Sequence, residues 1–349
     1  MRHRLFTIAS RSRGRKQPSP LASPSRSFSY ICVPRKLKIP FVFLTNGGGF
    51  SESKRAQDLG QLLGVNILPS RVIQGHTLFK QLVSRFKNEL VVAVGKGEPA
   101  TVMSEYGYKN VLSIDEYTSY FDAIDPLAPY KRWTTKRSID QNITSNEMAK
   151  RKIAVQTQRV QAAFVVSDSI DWSRDIQVLC DVLRTGGLPG KETNKQLHLF
   201  LANDDLEYQA TFPAKRLGMG AFRIALEAIY NCRIHPIPLA YTSYGKPNPF
   251  FYGNAETVLR NLMPSLLSNR DVENTANSGI FCFKTLYMIG DNPKIDIRGA
   301  RQAGEPWFSI LTRTGVFKGK DNHSEFPADL VVDTVEDAVD FILRKECGS

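Results

Sequence analysis

No acidic residue precedes Glu52, although the 349-residue chain contains 34 of them. The same stretch holds ten of the 46 basic residues: Arg2, Arg4, Arg11, Arg13, Arg15, Lys16, Arg26, Arg35, Lys36 and Lys38. The remaining 36 basic residues stand against 34 acidic ones, so the net charge of +12 sits almost wholly in the N-terminal tail. A nucleic-acid groove spreads positive charge over the folded surface, and here the body is nearly neutral. Nucleic acid is therefore not an expected partner. Long apolar runs are also missing. Stretches such as residues 39–44 fall far short of the ~18 apolar residues of a membrane span, so no membrane span is expected. Cysteine is sparse: Cys32, Cys180, Cys232, Cys282 and Cys347 are odd in number, scattered, and never in a Cys-x-x-Cys pair. That argues against a disulfide framework and against a zinc site. The five histidines, His3, His76, His198, His235 and His323, form no His-x-x-x-His pattern.

What the tail does contain is arginine and serine. It resembles a transit peptide, and Arg2, Arg4, Leu5, Phe6 and Ile8 are spaced for a short amphipathic helix. The expected destination is the mitochondrion, with the plastid as the alternative because of the Pro/Ser stretch at residues 18–25. A plain basic tail is the competing reading.

Beyond the tail, short β-branched runs alternate with longer amphipathic ones. Strands are predicted over residues 41–44, 90–94, 111–114, 163–167, 197–202, 286–289 and 307–311. Helical periodicity is predicted over residues 53–63, 78–86, 172–185, 221–229, 254–262, 295–303 and 335–344. Such alternation specifies an α/β fold with a parallel sheet and helical crossovers, and the length suits about two domains. Residues 131–151 and 268–278 read as exposed loops.

Three stretches lie where an apolar strand ends, the edge at which open α/β sheets bind ligands. The first runs from Phe41 into Thr45, Asn46, Gly47, Gly48 and Gly49, a hydroxyl and an amide followed by glycines that let backbone N–H groups turn toward an anion. The second holds Lys246 between Gly245 and Pro247, fixing one positive charge on rigid backbone. The third delivers Asp291 at a strand tip after Gly290 and places Asp296 at the start of the next helix, a carboxylate pair suited to Mg²⁺. Taken singly, each also reads as an ordinary turn, surface loop or helix cap. Gly95-Lys96-Gly97 lacks the frame of a P-loop, and Gly218-Met219-Gly220 lacks the third glycine of a dinucleotide fingerprint. Trp172 and its neighbours at helical spacing read as core.

The order is more telling than the parts. A strand-end Thr-Asn, a Gly-Lys-Pro 201 residues later and a Gly-Asp-x-x-x-x-Asp another 45 residues on resemble motifs II, III and IV of haloacid dehalogenase-like phosphohydrolases, over residues 38–338. The long insertion between motifs II and III and the Thr314-Gly315-Val316 stretch resemble subfamily IIA. The Thr-Asn-Gly-Gly-Gly run, the segment from Ala202 to Asp205 and the segment from Leu217 to Phe222 resemble its eukaryotic mitochondrial branch, the cat-eye-syndrome-critical-region type. The resemblance implies a Rossmann-like core (residues 38–88 and 241–349) with a large α/β cap (residues 89–240) and a tail over residues 1–37. It also implies Mg²⁺-dependent phosphomonoester hydrolysis through an aspartyl-phosphate, on a small phosphorylated substrate, with a family-level link to phospholipid metabolism. Thr45, Asn46, Gly47 and Lys246 would hold the phosphoryl group, with Thr45 and Lys246 as catalytic residues. Asp291, supported by Asp296, would hold the metal, and Asn203 and Asp205 would reach substrate from the cap.

The family's nucleophile motif, Asp-x-Asp on the first strand, is absent: no Asp-x-Asp occurs anywhere in the chain. Residues 28–33 could form a strand, but only six residues separate Val33 from Pro40, too few for a crossover between parallel neighbours. The first strand and its motif are therefore expected to be missing. Either a segment is absent at a join within residues 28–38, or the protein is a non-catalytic member that keeps a phosphate pocket. In both cases this polypeptide is expected to be catalytically impaired.

Overall fold

The computed structural model describes residues 5–8, 39–131, 145–191, 193, 195–234, 237–263 and 283–347. Two parallel sheets organise them. The first contains β1 (Leu5–Ile8), β2 (Phe41–Thr45), β3 (Val72–Gln74), β11 (Leu286–Gly290), β12 (Trp307–Thr312) and β13 (Leu330–Val332), in the order β13-β12-β11-β1-β2-β3. The second contains β4 (Leu90–Val94), β5 (Asn110–Ser113), β6 (Ala162–Val165), β7 (His198–Leu201) and β10 (Thr242–Ser243), in the order β10-β7-β6-β4-β5. A two-stranded antiparallel ribbon, β8 (Glu207–Tyr208) with β9 (Arg216–Leu217), projects between β7 and the helix Met219–Ile229. The chain leaves the first sheet after β3 and rejoins it at β11, so the second sheet is an insertion.

Composition explains why these sheets are parallel and covered. All five residues of β4 and all five of β11 are buried, the pattern of strands with helices on both faces rather than one wet face. Phe164, on β6, packs among Phe79, Phe86, Tyr108 and Phe200 in the core of the second sheet. The first sheet buries Val42, Leu44 and Met288 against Phe251, Tyr252 and Leu259 of the helix Pro249–Leu262.

The tail holds the main departure from expectation. Leu5–Ile8 form no amphipathic helix; they fill the centre of the first sheet, with Leu5 opposite Leu286, and Phe6 opposite both Tyr287 and Phe41. The first strand, expected to be missing, is thus present, formed by residues read as tail. Four apolar or β-branched residues between two unpaired strand edges gain ladder hydrogen bonds on both sides, which a one-turn helix cannot match. The segment linking Ile8 to Phe41 is also long enough for a crossover, unlike the six residues after Val33. The alternative strand at residues 28–33 lies outside the described residues. Part of the loop expected at residues 131–151 is corrected too, since Ser145–Thr157 form a helix; the loop at 268–278 lies outside the described residues. The helix expected over 78–86 is a 3₁₀ stretch, Gly75–Leu82, followed by one α-turn, Val83–Phe86.

Candidate functional site

The carboxyl ends of β2 and β11 open into a cavity of about 240 Å³ that the insertion covers. Thr45 is the last residue of β2, and Asp291 follows the last residue of β11. Lys246 comes in from the segment after β10, and Asn203 and Asp205 from the turn after β7. All eight residues singled out from the sequence line this cavity.

Lys246 and Asp296 form its buried ionic centre. Lys246 Nζ lies 2.7 Å from Asp296 Oδ1 and donates to the Leu44 carbonyl at 3.1 Å, and both residues are about 95% buried. Asp296 Oδ2 accepts the Asn292 N–H at 3.0 Å, so both carboxylate oxygens are engaged. Asn292 caps the following turn, its side chain accepting the Lys294 N–H. Glycine at position 290 is a steric necessity, because a Cβ there would lie 2.3 Å from Asp296 Cβ.

Asn46 clasps the Lys246 peptide. Its Oδ1 accepts the Lys246 N–H at 2.7 Å, and its Nδ2 donates to the Lys246 carbonyl at 2.9 Å and to Asp205 Oδ1 at 3.0 Å. Asn203 Nδ2 donates to the Asn46 carbonyl at 2.9 Å, and Asn203 Oδ1 accepts the Asp205 N–H. The insertion is thereby hydrogen-bonded directly to the β2 loop. Thr45 Oγ1 accepts the Gly47 N–H at 3.0 Å, which leaves the hydroxyl hydrogen to donate to a ligand.

Asp291 is held differently. Val316 N–H donates to its Oδ2 at 2.6 Å and Phe317 N–H to its carbonyl at 2.9 Å. Among the described residues its Oδ1 has no hydrogen-bond partner. This donor set suits a hard cation held by one carboxylate oxygen and water. Asp296 enters the site as the counter-ion of Lys246 rather than as an open ligand. Among the described residues no three His, Cys, Asp or Glu side chains are grouped to hold a metal.

Sequence reading missed several cavity residues. Lys96, set aside with the failed P-loop, lines the cavity and pairs with Asp168 at 2.7 Å. Its place at the end of β4 is the strand-end signal already used for β2 and β11. Gly218, Tyr208 and Gln209 reach the cavity from the ribbon segment, and Arg55 from the helix Glu52–Leu63. Trp172 packs edge-to-face on Phe222 at 5.5 Å, consistent with a core role.

Behind the loop lies a second polar cluster. Glu52 Oε1 accepts from Tyr106 Oη at 2.7 Å and Thr77 Oγ1 at 2.8 Å and lies 3.0 Å from Lys80 Nζ. Burial alone would raise the Glu52 carboxyl, but Lys80 and the Tyr106 hydroxyl hold it below its ordinary value. Burial pushes the His76 imidazole down to about 4, against the pull of Glu52.

With that geometry in place, comparison with known proteins is specific. Residues 30–109 match the haloacid dehalogenase-like hydrolase model, and residues 243–338 match a HAD-hydrolase-like model. A cardiolipin synthase (CMP-forming)/mitochondrial hydrolase fusion protein of Schizosaccharomyces pombe is 30% identical over 316 residues, covering 89% of this chain. This chain spans about half of that fusion protein, 48% of its length. A mitochondrial hydrolase of Saccharomyces cerevisiae is 29% identical over 347 residues, covering 95% of this chain and 92% of the relative. Among solved structures, a 4-nitrophenylphosphatase of Thermotoga maritima superposes with a TM-score of 0.58 at 16% identity over 97% of both chains, a likeness of fold. Matched on both flanks of the insertion, the chain belongs to the haloacid dehalogenase-like hydrolase family.

Proposed function

We propose that this protein recognises small phosphorylated molecules in the cavity between the two sheets and is impaired in phosphoryl transfer. Its residues 38–88 and 241–349, with β1 completing their sheet, act as the family core, and residues 89–240, with β10 added at the edge of their sheet, as the cap. The observation that carries the reading is the central strand. β1 fills the position at which the family presents its nucleophile, yet no carboxylate lies between Ile8 and Glu52. Covalent catalysis needs a nucleophile at the reacting phosphorus and a base beside it, and neither is supplied there.

The rest of the cavity suits phosphate. The Thr45 hydroxyl donates to a phosphoryl oxygen, and the Asn46 amide keeps the Lys246 backbone in place. Lys246 adds positive charge, oriented by Asp296. Asp291 is the residue that would hold Mg²⁺, and that ion would supply additional charge against the phosphoryl oxygens. Asn203 and Asp205, tied to the β2 loop, bring the cap against the ligand. Mitochondrial residence is supported by the names of both relatives and by the Arg/Ser-rich, acid-free tail. The cardiolipin synthase half of the fission-yeast fusion supports a ligand from phospholipid metabolism.

Incubation with 4-nitrophenyl phosphate and Mg²⁺ tests the reading. The wild type is expected to release no more nitrophenol than an Asp291→Asn variant. Turnover in the wild type that is lost in the variant would refute impairment and establish an active phosphatase.

A further inference from the structure

Cations on the wall of the cavity are matched by carboxylates, with one exception. Lys246 has Asp296 and Lys96 has Asp168, but Arg55 makes no ion pair among the described residues. Its Nη2 lies 3.6 Å from the point where a Cβ on Gly47 would stand, and Thr45 Oγ1 lies 3.3 Å from that point. Guanidinium and hydroxyl thus converge over Gly47. Among the described residues the Arg55 Nε is buried without a hydrogen-bond partner. Asp58 lines the same cavity and favours the charged guanidinium at a distance, but burial dominates and lowers the pKa of Arg55.

An unpaired guanidinium partly withdrawn from water is disfavoured unless an anion arrives. Its planar fork places two N–H groups on two oxygens of one carboxylate or phosphate, a geometry that lysine cannot reproduce. The convergence with Thr45, the loop residue already assigned to phosphate, favours a tetrahedral oxyanion. We propose that Arg55 is a phosphate-binding residue of this cavity and that, with Lys246, it confers phosphate affinity with or without Mg²⁺. The inference rests on the reading of the cavity as a phosphate site. It goes further by naming a second cation for the phosphoryl group, one that the chain itself supplies at the cavity wall with or without a metal.

Titration calorimetry with inorganic phosphate tests it on the full chain, once with EDTA and once with Mg²⁺. The wild type is expected to bind in both buffers, more tightly where Mg²⁺ is present. Arg55→Gln is expected to weaken binding about tenfold or more, as for loss of charge-assisted hydrogen bonds, and Arg55→Lys to fall between. Melting temperatures of the three proteins confirm that each is folded. Wild-type binding retained in full by Arg55→Gln, or binding that vanishes with EDTA, overturns this inference and leaves the phosphate-site reading standing. No binding by the wild type in either buffer overturns that reading and the inference with it.

Discussion

Lys246 and Asp296 show how one buried pair serves both structure and site. The lysine ammonium lies 2.7 Å from the carboxylate, with both side chains almost fully buried. Removing one partner from such a pair strands a charge in a poorly solvated place, at a cost of roughly 3–5 kcal/mol, whereas neutralising both is often tolerated. Lys246→Met is therefore expected to destabilise the fold by about that amount in urea titrations. The double variant Lys246→Met/Asp296→Asn is expected to recover much of the loss and still fail to bind phosphate. A double variant no more stable than the single one would show that the loss comes from the ammonium's bond to the Leu44 carbonyl and not from a stranded Asp296 charge.

At the scale of the element, the first sheet depends on a strand of four residues. β1 pairs with β11 along its whole length and with β2 over three residues. Without it those two neighbours are left as facing edges with unpaired backbone groups. Deleting residues 1–8 is expected to cost several kcal/mol, since each lost ladder bond contributes on the order of 1 kcal/mol. A thermal melt of the truncated chain reads this directly, and an unchanged melting temperature would remove β1 from the stabilising structure. The same residues carry the tail's resemblance to a transit peptide. Processing after Ile8 would remove the strand, so N-terminal sequencing of the mitochondrial protein decides which role those residues keep.

Why β1 escaped sequence reading follows from its length and its partners. Four residues are too few to separate a two-residue period from a helical one. The edges that select the extended form lie more than thirty residues away at Phe41 and far beyond that at Leu286. By contrast, Thr45 and Asp291 were legible because each stands at the end of an apolar strand, so local pattern and tertiary position coincide, whereas Lys246 was legible from Gly245 and Pro247 around it, the strand before it being only Thr242–Ser243. The short helices Pro99–Glu105 and Ile114–Ser119 have too little length to show a period. Arg55 was invisible for another reason. It lies on a charged, amphipathic helix beside Lys54, and only the fold shows that Lys54 faces Glu98 while Arg55 faces the cavity.

At the scale of the molecule, the Glu52 cluster fastens the insertion to the first sheet's helix. Glu52 opens the helix Glu52–Leu63, His76, Thr77 and Lys80 belong to the connection Gly75–Leu82, and Tyr106 follows a helix of the insertion. Tyr106 has one hydroxyl hydrogen and donates it to Glu52, so the His76 Nδ1–H must donate to the tyrosine oxygen, 2.7 Å away. That tautomer leaves His76 Nε2 unprotonated, buried and without a partner among the described residues. The charged groups facing the imidazole are Glu52, which favours protonation, and Lys80 and Arg55, which oppose it. The folded protein therefore holds His76 neutral, with a pKa of about 4 against 6.5 when unfolded. A lowered histidine pKa means that the unfolded chain binds the proton more readily. The stability from this group is complete above pH 6.5 and is lost as the pH falls toward 4. Glu52, whose carboxyl is also lowered, adds a loss of the same sign below its unfolded value of 4.5. The histidine contribution is on the order of 3 kcal/mol across that window. Urea midpoints measured at pH 7.5, 6 and 5 (~25 °C) are expected to fall steadily for the wild type and less steeply for His76→Gln. Because Tyr106 and Glu52 join the insertion to the core, proteolysis of the connection Gly75–Leu82 is expected to accelerate over the same range. Parallel slopes for the two proteins would place the acid sensitivity elsewhere and leave the cluster as a fastening indifferent to pH.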